Sequence, residues 1–272
     1  MRLRLTFAFL AALPILAFAQ DAAAPLPEFV SLDGKPVAGG NPIEDKPNAR
    51  LVLHFKAPVL WLFRTKATNP AGTVLLCPGG GYVILEMERE GKNTARALND
   101  MGFDVAILEY HIASGANERD LALDDALQAF HLVKTNGASL GLHPARVEIM
   151  GYSAGGHVAA RAAAKLEPGG QLDGVILVYP AYLEETAPGT GTPLVVPPAK
   201  PGRLFATIAV NDMAERVKGC EAYVQAWKNA GGETDFHLLP DGGHGFGMAA
   251  NAADSNLNWP ELVKAFLAAG AK

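Results

Sequence analysis

The chain has 272 residues, 49% of them hydrophobic and 19% charged, which excludes a disordered or fibrous protein and is enough to bury one full core. A formal charge of −5, with no cluster of Lys or Arg, offers no electrostatic footprint for nucleic acid. Two cysteines, Cys77 and Cys220, are read as free buried thiols, because one ends a predicted strand and the other sits in a distant predicted helix.

Taken in order, the chain opens with Arg2 and Arg4, an apolar run from Leu5 to Phe18 and the small-x-small triplet Ala17-Phe18-Ala19. That pattern predicts a signal peptide over residues 1–19, with export to a periplasm or the outside. A retained membrane anchor is the alternative. Pro14 interrupts the run, and the run is shorter than the roughly 20 residues a spanning helix needs, so no stable membrane association is expected. Residues 20–48, rich in Pro, Gly and Ala, are expected to form an irregular arm, and residues 49–272 a single folded domain.

Leu51–Phe55 and Val59–Arg64 are predicted as a first pair of strands. Asn69-Pro70-Ala71-Gly72 is a turn, and Thr73–Leu76 reads as a strand buried on both faces that runs into Cys77-Pro78-Gly79-Gly80-Gly81-Tyr82. A helix is predicted over Glu90–Met101, a buried strand over Val105–Leu108 and an amphipathic helix over Asp120–Thr135. Val147–Met150 is a strand, and the alanine-rich stretch from Val158 to Lys165 a helix. Gly174–Tyr179 follows as a strand, then a Pro/Gly/Thr-rich connector over 182–202 without a sustained period, long enough to suggest a functional loop. Leu204–Val210 and Thr234–Leu239 are strands on either side of a helix over Ala214–Ala230. A final helix over Trp259–Ala269 begins at Asn258, with Pro260 in its first turn. This alternation predicts an α/β fold, a mostly parallel central sheet with helices on both faces and no large cap domain.

Between the strand at 147–150 and its helix stands Gly151-Tyr152-Ser153-Ala154-Gly155-Gly156-His157, a G-x-S-x-G sequence. A sharp strand-to-helix turn needs glycines where neighbouring backbone passes close to the serine, and it exposes the hydroxyl at the top of the sheet. Ser153 is therefore the candidate nucleophile. A serine hydroxyl needs a base to take its proton and a third group to orient that base. His244, in the loop Gly242-Gly243-His244-Gly245-Phe246-Gly247 after the last strand, fits the base. Asp212, directly after the preceding strand, fits the acid. The expected oxyanion donors are the Ala154 amide and, from the early glycine loop, those of Gly80 and Gly81.

The competing residues fit less well. His157 is expected to pack beside the helix, and His54, His131, His143 and His237 to be structural. Asp173 and Asp235 are expected at the wrong end of the sheet, and Asp241 to shape the loop. No Lys-Ser/Thr follows the glycine triplet and the G-x-G-x-x-G spacing is missing, so phosphate-loop and dinucleotide readings are poor. The cysteine spacing suggests no metal site.

With these residues placed, the chain over roughly 45–270 resembles the exported esterases of the α/β-hydrolase superfamily related to acetylxylan esterases, a group also labelled endo-xylanase B-like. The resemblance rests on Pro78-Gly79-Gly80-Gly81-Tyr82, Glu90-Gly91, Asp125-Ala126, Gly151–His157, Asn211-Asp212 and Gly242–Gly247. It implies the α/β-hydrolase fold and removal of acetyl or other short acyl groups from sugars, without a metal or organic cofactor. Tyr82 and Glu90 are candidate substrate contacts by that resemblance, with Glu90 also readable as a residue behind the site or as a helix cap. Two departures stand out, His111 and Gln128, where such enzymes usually carry arginine; bracing of the nearby loop must differ. The expected partner is a small ester or an acetylated carbohydrate. A general short-chain carboxylesterase and a prolyl-oligopeptidase-type peptidase are the alternatives, the latter with Glu184-Glu185 as its weak amine-binding candidate.

Overall fold

A computed structural model describes residues 28–46, 49–113, 117–166, 172–183, 195–248 and 258–270. The leader over 1–19, the start of the arm, most of the 182–202 connector and Glu184-Glu185 lie outside the described residues.

Among the described residues eight strands form the central sheet: β1 (Glu28–Ser31), β4 (Val59–Phe63), β5 (Gly72–Cys77), β7 (Phe103–Glu109), β8 (Val147–Tyr152), β9 (Gly174–Val178), β10 (Arg203–Ala209) and β11 (Glu233–Leu239). Their spatial order is β1-β4-β7-β5-β8-β9-β10-β11. The β1–β4 and β4–β7 pairs are antiparallel and every later pair is parallel. Every residue of β5, β7, β8 and β9 is buried, as expected for strands covered on both faces.

The helices between these strands are α1 (Asn93–Asp100), α2 (Glu118–Asn136), α3 (Ser153–Leu166) and α4 (Ala214–Asn229). The path β5–α1–β7 steps one way across the sheet, whereas β7–α2–β8, β8–α3–β9 and β10–α4–β11 step the other way, so right-handed crossovers place α1 on one face and α2, α3 and α4 on the other. The last helix, α5 (Trp259–Ala269), has Pro260 in its first turn and packs against β10.

Three expectations are corrected. The arm is not irregular throughout: β1 adds an edge to the central sheet through Phe29↔Trp61 and Val30↔Leu60, and β2 (Ile43–Lys46) pairs with β3 (Ala49–Val52). Four-residue strands in a Pro/Gly-rich stretch carry too few alternations to register as a period; their partners decide them. Residues 51–55 and 59–64 are not a pair. β3 belongs to a small antiparallel sheet with β2 and β6 (Leu85–Glu86), and β4 to the central one. Between them Asn41 accepts from Lys56 N–H at 2.6 Å and donates to the Ala57 carbonyl at 2.9 Å, which holds the link away from a hairpin turn. The helix expected over Glu90–Met101 starts earlier, as a π-helical segment over Met87–Lys92 that feeds α1, and its cap is Glu86, whose carboxylate accepts from Glu88 N–H at 3.2 Å. Glu90 is thus not the cap.

Parallel register positions the site. Cys77 lies opposite Gly151, so the glycine loop after β5 and the turn after β8 emerge side by side. Ala209 lies opposite Leu239, so the loops after β10 and β11 do the same.

Candidate active site

Ser153 begins α3 with φ +48°, in the left-handed region that costs a residue with a side chain about 1–2 kcal/mol. The turn is held by close backbone passage. A Cβ on Gly151 would overlap the Gly155 carbonyl, and one on Gly155 would overlap the Cys77 and Pro78 carbonyls. Such strain, where the surrounding structure enforces it, marks a functional position.

Ser153 Oγ lies 2.8 Å from His244 Nε2, and His244 Nδ1 lies 2.7 Å from Asp212 Oδ2. Asp212 is oriented by the Met213 N–H, which donates to Oδ1 at 2.6 Å, and Arg216 stands 3.6 Å from the same oxygen. With Asp212 accepting at Nδ1, the tautomer that suits this chain carries its proton there and leaves Nε2 free to accept from the serine. Burial pushes the imidazole below the ordinary histidine value, while the Asp212 carboxylate pulls it back up. The His244 loop uses left-handed glycines at 242, 243, 245 and 247.

On the other side of Ser153, a Cβ on Gly79 would come within 3.0 Å of the Ser153 Cβ, so this loop passes directly over the nucleophile. Gly80 and Gly81 have φ +135° and +64°, and the Gly80 carbonyl accepts from Val83 and Ile84 at 3.1 Å, which curls the loop on itself. Ala154 is in the first turn of α3, where amides have no partner within the helix. The three expected oxyanion donors therefore lie on the two backbone segments that flank Ser153.

The two candidate substrate contacts sit differently. Tyr82 is 3% exposed, and its hydroxyl meets His157 Nδ1 at 2.7 Å. Glu90 is 6% exposed and accepts from Gly79 N–H at 2.6 Å and from the Tyr179 hydroxyl at 2.8 Å. Tyr179 bears no motif; its only mark in the sequence is its place at the end of β9, between the strands that deliver Ser153 and Asp212. Its ring packs on His244 at 5.1 Å and on Phe246 at 4.4 Å, and its hydroxyl accepts from Gly247 N–H at 3.0 Å.

The other histidines are engaged elsewhere. His157 is buried, which drives its imidazole down to about 3 and keeps it neutral. His143 pairs with Asp104 at 2.6 Å, His237 with Asp235 at 2.7 Å and His54 with Glu44 at 3.3 Å, while His131 is exposed on α2. Asp173 accepts from Val147 N–H, at the opposite end of the sheet from Ser153. Asp241 accepts from Asn211 and from Gly242 N–H and so shapes the base loop. His111, in place of the arginine of similar enzymes, binds Asp125 through its ring at 2.6 Å and its N–H at 2.8 Å, whereas Gln128 is exposed. Among the described residues no group of three or more His, Cys, Asp or Glu could hold a metal ion, and both cysteines are buried and free.

Comparison with known proteins agrees with this architecture. A family model described as alpha/beta hydrolase fold matches residues 74–196. An acetylxylan esterase of Xylanibacter ruminicola is 27% identical over 210 residues, which cover 66% of this chain and 42% of that one. An endo-1,4-beta-xylanase B of Butyrivibrio fibrisolvens is 28% identical over 120 residues, 39% of this chain and 19% of that one. The chain thus spans less than half the length of either relative. Among solved structures, an acetyl ester-xyloside bifunctional hydrolase from Caldicellulosiruptor lactoaceticus aligns with a TM-score of 0.65 at 20% identity, covering 79% of this chain and 88% of that one. EstE1, a thermostable carboxylesterase cloned from a metagenomic library, aligns at 0.66 and 20% identity, covering 79% and 85%.

Proposed function

We propose that this chain, which has the α/β-hydrolase fold, is an exported serine ester hydrolase that removes short acyl groups, chiefly acetyl, from carbohydrate. The observation that carries the reading is the unbroken chain from Ser153 Oγ through His244 to Asp212, at 2.8 and 2.7 Å. Ser153 attacks the ester carbonyl while His244 Nε2 takes its proton. The Gly80, Gly81 and Ala154 amides hold the resulting oxyanion, where loss of one donor costs about 3 kcal/mol of transition-state stabilisation. Collapse of the intermediate breaks the C–O bond, and His244 protonates the departing alcohol. Water, deprotonated by His244, then attacks the acyl-enzyme and releases the carboxylate, restoring Ser153.

The similarity to an acetylxylan esterase and to an acetyl ester-xyloside hydrolase supports acetylated sugar as the substrate. Similarity to a carboxylesterase supports a general short-chain esterase as the second reading. The Arg2/Arg4 leader pattern supports export, and no helix among the described residues is long and apolar enough to cross a membrane.

The test is turnover of nitrophenyl acetate, a longer nitrophenyl ester, acetylated xylan and a proline-containing peptide, beside Ser153→Ala. Acetate release from aryl ester and xylan, abolished by Ser153→Ala, is expected. Aryl-ester activity alone would select the general esterase, and peptide cleavage alone the peptidase. Turnover that survives Ser153→Ala would overturn the nucleophile.

A further inference from the structure

Glu90 is a buried carboxylate that the proposed mechanism does not use. It lies on the π-helical segment, and each of its oxygens takes a hydrogen bond from a different half of the site. Oε2 accepts from Gly79 N–H in the oxyanion loop at 2.6 Å. Oε1 accepts from the Tyr179 hydroxyl at 2.8 Å, and the same hydroxyl accepts from Gly247 N–H at 3.0 Å in the His244 loop. The segment grips both loops a second time through backbone. Glu86 N–H donates to the Gly79 carbonyl at 3.1 Å, and Met248 N–H donates to the Arg89 carbonyl at 3.2 Å. Segments of π-helix occur disproportionately at functional sites.

This hydrogen-bond pattern favours the charged form. A proton on Oε2 would face the Gly79 N–H, donor against donor. A proton on Oε1 would turn the Tyr179 hydroxyl from donor into acceptor and leave its own hydrogen without a partner. Protonation on Oε2 therefore breaks the Gly79 arm, and protonation on Oε1 keeps the Tyr179 arm only by reversing it, with the buried Tyr179 hydrogen left unpartnered. We propose that Glu90 is a positioning residue which, as a carboxylate, ties the oxyanion loop to the His244 loop, so that its protonation, which breaks or reverses one of those bonds, lowers turnover by loosening the tie between the two halves of the site. The inference rests on the serine-hydrolase reading above.

The groups that face Glu90 are Arg89 on its own segment, Glu86 at the end of β6, Tyr179 at the end of β9, Tyr152 at the end of β8 and Tyr110 just after β7. Burial keeps the three tyrosines neutral. Burial also pushes the Glu90 carboxyl up to about 7, against the pull of the Tyr179 and Gly79 hydrogen bonds. Its titration consequently falls above that of His244, whose imidazole is held below the ordinary histidine value.

The test is the pH profile of kcat on nitrophenyl acetate for wild type, Glu90→Gln and Tyr179→Phe, with melting curves for each. Wild type is expected to lose turnover through two ionisations, the upper near 7. Glu90→Gln can accept only one of the two bonds, and its amide must either donate to the Tyr179 hydroxyl, which reverses that bond, or face the Gly79 N–H. It should lower kcat by on the order of 10- to 100-fold at pH 8 with KM nearly unchanged, and lose the upper ionisation. Tyr179→Phe removes a bond that stabilises the carboxylate, so its upper ionisation should move to higher pH. A Glu90→Gln profile that keeps the upper ionisation, or a Tyr179→Phe profile identical to wild type, overturns the inference. Should Glu90→Gln fail to fold, the Tyr179→Phe profile decides alone. Wild type that neither turns over esters nor reacts at Ser153 with a fluorophosphonate removes the esterase reading instead, a result distinct from the variant profiles.

Discussion

The Asp212 carboxylate meets the His244 ring at 2.7 Å although 32 residues and all of α4 separate them. Neighbouring parallel strands make the contact: β10 and β11 run in register to Ala209↔Leu239, and both loops turn toward Ser153. The carboxylate is entirely buried and the imidazole about a quarter exposed, so the pair is shielded while the base remains open to the substrate side. Asp212→Asn keeps the shape but presents an amide that can donate to Nδ1 and favour the wrong tautomer. Its kcat on nitrophenyl acetate is expected to fall by about four orders of magnitude. A loss below tenfold would move the acid role elsewhere.

Two glycines separate steric demand from conformational demand. Gly155→Ala would force a Cβ into the Cys77 and Pro78 carbonyls, backbone that cannot step aside. That variant is expected to lose about 3 kcal/mol or more of stability, together with activity. Gly243 has φ +61° but open space around a Cβ, so Gly243→Ala should cost only about 1–2 kcal/mol. Urea unfolding of both measures the difference, and equal costs would contradict the packing of the elbow against the glycine loop after β5.

Glu109 closes β7 beneath Asn41, whose N–H and side-chain amide each donate to Oε2 at 2.7 Å. Burial pushes its carboxyl up to about 7, against the pull of those bonds. Because the folded value lies above the unfolded 4.5, the folded chain holds this proton more tightly. The resulting stability is fully present below 4.5 and is lost as pH rises through 7. Glu109→Gln has no such proton to lose. Measured by urea unfolding between pH 5 and 8, it should gain on wild type by about 3 kcal/mol as pH rises. Parallel curves would show that Glu109 does not carry the shift.

The Tyr82 hydroxyl is the partner of His157 Nδ1, deep in the wall beside Gly81. Tyr82→Phe leaves that nitrogen buried and unpaired, which should cost about 1–3 kcal/mol. Since burial holds His157 neutral above about 3, the loss should be the same from pH 5 to pH 8. A raised KM with unchanged stability would instead return Tyr82 to the role of a substrate contact.

Much of the site could be read locally. The glycines around Ser153 report where backbone must pass close, and Asp212 and His244 follow their strands directly, so short stretches of chain were enough to nominate them. The loop proposed to hold the oxyanion announced itself in the same way, through three glycines after a fully buried strand. The edge strand β1 could not be read, because four residues in a Pro/Gly-rich stretch take their conformation from β4 rather than from any period of their own.

What the amino-acid sequence determined by itself was the strand-and-helix alternation and the identity of the residues at the strand ends, since both follow from nearest-neighbour sterics and burial periodicity. What only the tertiary structure decided was how those ends are joined. Glu90 and Tyr179 lie 89 residues apart, and neither has a local feature that points to the other. Their hydrogen bond exists because the π-helical segment and the end of β9 are packed against the same two loops. A carboxyl buried there must find donors, and the fold supplies one from each half of the site.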